Sequence, residues 1–106
     1  MRLDRVEREE SVLVDVISCG ENPELNDTSL ACRTVDVSEG GMKVASRMDI
    51  PVQTVVSLRL DMSSILYRLE GEVRWCSEQG DHYLGLSLDQ ASPDFVNWTR
   101  NFQLDF

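Results

Sequence analysis

The chain has few of the residues that most often carry chemistry. There is one histidine, His82, and three cysteines, Cys19, Cys32 and Cys76, widely separated and odd in number. With no CxxC pair and a single histidine, a metal site has too few ligands. The thiols are expected to be reduced and partly buried, as in a cytoplasmic protein. No apolar run approaches the roughly 18 residues of a membrane span, so no membrane insertion is expected. The first ten residues, MRLDRVEREE, carry charge where a secretory signal needs an apolar stretch. Positive charge is scarce too: ten basic against nineteen acidic side chains, 10 − 19, leave a net charge of −9. Non-specific nucleic-acid affinity comes from neutralising phosphates, so no nucleic-acid partner is expected. A small anion stays open, because a local arginine cluster can act against the average. Nine of the ten basic residues are Arg and only Lys43 is Lys. Arg pairs bidentately with phosphates and base edges and stacks on flat rings, which Lys does not.

Recognised catalytic patterns are missing as well. The sequence contains no nucleophile elbow, P-loop or dinucleotide-binding glycine pattern. His82 falls inside a predicted strand, with no Cys or Ser in a recognisable triad arrangement. The carboxylate pairs Glu9/Glu10 and Glu70/Glu72 fall on faces expected to be wet. These features argue against an enzyme.

What is present reads as one β-rich domain. The 106 residues, 42% of them hydrophobic, suffice for a genuine core, and no repeat or second domain is visible. SVLVDVIS (11–18) is rich in β-branched residues and predicts a strand, followed by a turn-rich loop over 19–29. Further strands are predicted over 30–36, 42–46, 54–61, 65–76 and 82–88. In 54–61, Val56, Leu58 and Leu60 alternate with Ser57, Arg59 and Asp61, so one face is buried. In 65–76, Ile65, Tyr67, Leu69, Val73 and Trp75 share one expected buried face, with Arg68, Glu70, Glu72 and Arg74 on the wet one. Gly71 on the buried face marks a bend or a close backbone approach. Only the C-terminus looks helical. Ser92 suits an N-cap, Pro93 the first helical position, and Phe95, Trp98 and Phe102 recur on one face. That face is expected to close one end of the β structure. Six strands and one helix predict a mainly β fold, a small antiparallel barrel.

Two segments have the composition of a binding site. DVSEGG (36–41) joins two strands. Asp36 is an acceptor that can take the N–H donors of a guanine edge, and Ser38 donates or accepts. Gly40 and Gly41 permit positive φ and close approach of a flat base. The second segment is the N-terminal run with Arg2, Arg5 and Arg8, placed to close over a phosphate.

Together these segments, with GMKV at 41–44, GEVRW at 71–75 and YLGLSL at 83–88, resemble the PilZ domain, a bacterial receptor module for cyclic di-GMP. The family hallmark [D/N]xSxxG is met by Asp36, Ser38 and Gly41, and the resemblance covers essentially the whole chain. It implies a six-stranded antiparallel PilZ-like barrel over 11–88, an Arg-containing flexible arm over 1–10 and a C-terminal helix over 92–103. It also implies cyclic di-GMP as ligand, no other cofactor, and a downstream regulatory, motility or pilus protein as partner. The implied ligand-binding residues are Arg5, Arg8, Asp36, Ser38, Gly40 and Gly41, with Arg2 beside them. One departure stands out. Nucleotide-binding members usually carry RxxxR just before the first strand, whereas here the arginines are three apart. Counting back four from Arg8 reaches Asp4, and forward four from Arg5 reaches Glu9. The alternative expectation is therefore a degenerate PilZ domain that acts as a protein adaptor without the nucleotide.

Overall fold

The computed structural model of the chain describes residues 6–7, 9–62, 64–77 and 82–102. Seven strands are present among them: β1 (Val6–Glu7), β2 (Ser11–Ser18), β3 (Ser29–Ser38), β4 (Gly41–Ser46), β5 (Val55–Met62), β6 (Ile65–Ser77) and β7 (His82–Leu88). A short helix α1 (Phe95–Thr99) follows and tightens into a 3-10 turn over Arg100–Phe102. All pairings are antiparallel, in the order β3-β2-β5-β6-β7-β4, and a β3–β4 pairing closes the ring. The fold is thus a closed six-stranded antiparallel barrel with a single C-terminal helix, as predicted. Closure leaves no long exposed sheet edge. The short β1 lies outside the ring and pairs with β3.

Alternation explains the core. Val12, Val14 and Val16 of β2, Val56, Leu58 and Leu60 of β5, and Leu84, Leu86 and Leu88 of β7 all point inward and are buried. Each such side chain contributes on the order of 1.5–3 kcal/mol of transfer free energy. Gly71 is a close-approach position, as expected. A Cβ there would stand 2.4 Å from the Ser87 carbonyl oxygen. Trp98 and Phe102 plug one barrel end, with the Trp98 ring edge-on to Tyr67 at 5.5 Å and to Phe102 at 5.1 Å.

Two expectations are corrected. Ile65 and Trp75 were placed on the buried face of β6, yet they are 52% and 44% exposed. For Trp75 the reason is a register shift between Val73 and Trp75 against β7. One extra residue, Arg74, reverses the in–out parity beyond it. The helix was expected over 92–103 with Ser92 as its cap, but it starts at Phe95, and Ser92 has another task. β7 pairs with β6 only from Gly71 onward, so the Arg68 and Glu70 backbone groups on that side need partners. The Glu70 N–H donates to Ser92 Oγ at 2.8 Å, and the Arg68 N–H donates to Asp94 Oδ2 at 2.7 Å. The chain over 89–94 therefore satisfies the open stretch of β6 before turning into α1.

Candidate functional site

β3 carries the motif strand, and a bulge decides which way the motif faces. Cys32 and Thr34 point into the barrel, and so does Val37. The register against β4 shifts between Thr34 and Asp36, with Val35 as the extra residue. Without that shift Asp36 and Ser38 would share the inward parity of Thr34; with it they face outward, half-buried.

Cross-strand register then lays out a surface. Asp36 pairs with Lys43, Lys43 with Gly85 and Gly85 with Trp75, one row across β3, β4, β7 and β6. The adjacent row runs from Ser38 to Gly41, Ser87 and Glu72. Gly41, Gly85 and Ser87 make the middle of this surface low and flat, with larger polar and aromatic groups on either side. Ser38, Gly41, Lys43, Arg74 and Trp75 line a shallow slot of about 160 Å³. Lys43 Nζ sits 4.5 Å over the Tyr83 ring, a cation–π contact that holds the ammonium on this face. The Trp75 indole lies flat on Gly85, where a Cβ would be only 2.0 Å from Trp75 Nε1. No side chain larger than Gly fits beneath that ring in this position.

The turn itself is held from three directions. Ser38 Oγ donates to the Gly41 carbonyl at 3.1 Å, and the Leu88 N–H donates to the Gly40 carbonyl at 2.9 Å. From the barrel end, Trp98 Nε1–H donates to the Ser38 carbonyl at 3.3 Å. The glycines differ from expectation, since neither Gly40 nor Gly41 has a φ in the left-handed region. Gly41 is needed for proximity instead: a Cβ would come within 2.6 Å of the Leu86 carbonyl oxygen.

Beside the motif runs the N-terminal segment. Glu7 is the register partner of Asp36 and Val6 of Val37. Further along, the Glu10 N–H donates to Thr34 Oγ1 at 2.8 Å and the Thr34 N–H to the Glu10 carbonyl at 2.9 Å. Residues 6, 7 and 10 of the segment expected as a flexible arm are thus bonded to the motif strand. Arg2, Arg5 and Arg8 themselves lie outside the described residues. The structure brings Asp36, Ser38, Gly40 and Gly41 together on one face and adds Lys43, Arg74 and Trp75, which sequence reasoning did not assign to the site. The signal for Trp75 was present in Gly85 on the neighbouring strand β7, but only register connects the two.

Other candidate chemistry is elsewhere. Asp49 Oδ1 is 2.6 Å from His82 Nδ1 and accepts from Cys76 Sγ at 3.5 Å. The histidine thus does have a cysteine nearby, but both meet through the carboxylate, an arrangement that holds neither as a nucleophile–base pair. No group of three His, Cys, Asp or Glu residues among those described is disposed to hold a metal ion. No helix among the described residues is long and apolar enough to cross a membrane. Burial pushes the Cys32 thiol above its ordinary pKa of 9.0, partly opposed by the Ser46 hydroxyl.

A family profile for the PilZ domain matches residues 8–100, and the chain belongs to the PilZ domain family. PilZ domains are binding modules. Among solved structures the chain is similar to the Bacillus subtilis inhibitor of motility (MotI/DgrA), with a TM-score of 0.71 and 12% identity. That match covers 93% of this chain and 47% of the other, so the chain spans about half the length of that protein. No curated protein matches the sequence significantly.

Proposed function

We propose that the chain is a non-enzymatic, cytoplasmic receptor for cyclic di-GMP that converts nucleotide binding into a changed surface for a regulatory or motility protein. The observation that carries this reading is the ladder between Val6–Glu7 and Asp36–Val37. It lays residues 6 and 7, which stand between Arg5 and Arg8 in sequence, along the strand that holds the motif, and this supports a site shared by the two segments. In this reading Asp36 and Ser38 take the donor edge of one guanine. The low surface over Gly41, Gly85 and Ser87 receives the flat base, and Trp75 forms one wall of its slot. Arg5 and Arg8 engage phosphates or the acceptor edge of guanine, where bidentate guanidinium geometry is strongest, and Arg2 lies within reach in sequence. The solved neighbour is an inhibitor of motility, and an output of the same kind, through contact with another protein, fits a module without catalytic machinery.

The acidic residues Asp4 and Glu9 at the expected arginine spacing favour a second reading, an adaptor that works without nucleotide. Calorimetric titration of wild type, Asp36→Ala and Arg8→Ala separates the two. Receptor action predicts wild-type binding and a roughly ten- to hundredfold loss in folded Asp36→Ala, since hydrogen bonds to charged groups contribute about 1.5–3 kcal/mol. Arg8→Ala weakens binding in the same direction. Unchanged affinity in folded Asp36→Ala would remove the site assignment, and absence of wild-type binding would leave the adaptor.

A further inference from the structure

Trp98 stands 60 residues from the motif in sequence, yet its indole N–H donates to the backbone carbonyl of the motif serine at 3.3 Å. The indole is fully buried. Its ring is fixed edge-on by Tyr67 and Phe102, at interplanar angles of 77° and 63°. Its place is therefore set by the packing at the barrel end, and the turn is the element that adjusts to it. The acceptor belongs to Ser38, whose hydroxyl also closes the turn onto the Gly41 carbonyl at 3.1 Å. A carbonyl held from below fixes the peptide plane between Ser38 and Glu39. That plane sets the lie of the turn over Glu39 and Gly40, and with it where the Gly41 carbonyl stands to receive the Ser38 hydroxyl.

We infer that Trp98 is a positioning residue for the nucleotide site, holding the Ser38 carbonyl so that the motif turn is preformed for a guanine edge. This rests on the receptor reading above and deepens it, because it joins the site to the C-terminal helix. Coupling of this kind is reciprocal. A nucleotide that engages Ser38 alters the bond to Trp98, and a change in the seating of α1 alters nucleotide affinity. The exposed face of α1, where Val96 is 67% exposed, thus lies on the same element as the residue that grips the turn.

The test compares three forms of the full chain by titration with cyclic di-GMP and by thermal melting. Trp98→Phe removes the N–H donor but keeps an aromatic ring. Phe102→Leu loosens the packing around the indole and leaves the donor in place. Benzothienylalanine incorporated at position 98 keeps the bicyclic shape and replaces the N–H by sulfur, which covers the case in which Trp98→Phe fails to fold. A single hydrogen bond is worth a few-fold in an equilibrium, so a loss of about three- to tenfold in affinity is expected for both donor-free forms. Phe102→Leu is expected to lower the melting temperature and, because the donor stays, to lose less affinity than the donor-free forms. In the wild type, cyclic di-GMP is expected to shift the Trp98 indole N–H resonance. Donor-free forms that bind within twofold of wild type would overturn the assignment and leave Trp98 as core alone. Equal losses in Phe102→Leu and the donor-free forms would overturn it too, by showing general loosening. Absence of binding in every form, wild type included, identifies failure of the receptor reading itself, and the role of Trp98 falls with it.

Discussion

Single residues decide how the outer face is shaped, and Gly85 is the sharpest case. Replacing it with Ala puts a Cβ 2.0 Å from Trp75 Nε1, so the indole must leave its seat. The ring is a 44% exposed surface group and is free to swing outward, so Gly85→Ala is expected to keep the fold and to weaken cyclic di-GMP binding. Fluorescence checks the movement: Trp75 emission shifts to longer wavelength, while buried Trp98 gives an unchanged component. Cys32 supplies a second residue-scale expectation. Its folded-state pKa is raised, by burial first, so the folded chain holds the thiol proton more tightly than the unfolded chain. The unfolded state then releases that proton first as pH rises. The stability tied to Cys32 is present in full below the unfolded pKa and is lost as pH climbs through about 9 and beyond. Denaturant melts between pH 7 and 10 check this, and Cys32→Ala is expected to flatten the decline.

At the scale of elements, Ser92 separates two roles that look alike in sequence. Ser92→Ala removes the acceptor of the Glu70 N–H and is expected to cost about 1–3 kcal/mol. The signature is faster hydrogen exchange at the Glu70 amide with helical content unchanged. An N-cap would give the opposite pattern. For α1, Trp98→Ala empties the centre of the barrel plug and is expected to cost about 3–5 kcal/mol by denaturant unfolding. These elements also show what was legible beforehand. Strict alternation in β5 made its buried face readable, because side-chain direction follows parity alone. The motif Asp36-x-Ser38 was readable as residue types. What hid were bulges, among them those at Val35 and Arg74. A single inserted residue reverses parity without leaving a mark in composition, and it moved Trp75 from core to site. Ser92 was misread because its partner, an open stretch of β6 backbone, exists only once β7 has paired short.

For the whole molecule the governing fact is a net charge of −9. Binding a dianionic nucleotide then depends on local arginines working against long-range repulsion, and salt screens both. Asp4→Arg removes one carboxylate and restores the family's arginine spacing. It is expected to raise affinity, by an amount that shrinks between low and high ionic strength. The central claim is that this barrel reads guanine through Asp36 and Ser38. Calorimetric titration of the unaltered chain with cyclic di-GMP, and in parallel with cyclic di-AMP, tests it most directly. Adenine lacks the N–H donors that Asp36 would accept and the oxygen that arginine would engage. Saturable binding of the guanine dinucleotide with little or none of the adenine one is the predicted result; no binding of cyclic di-GMP by folded protein, or equal binding of both, would contradict it.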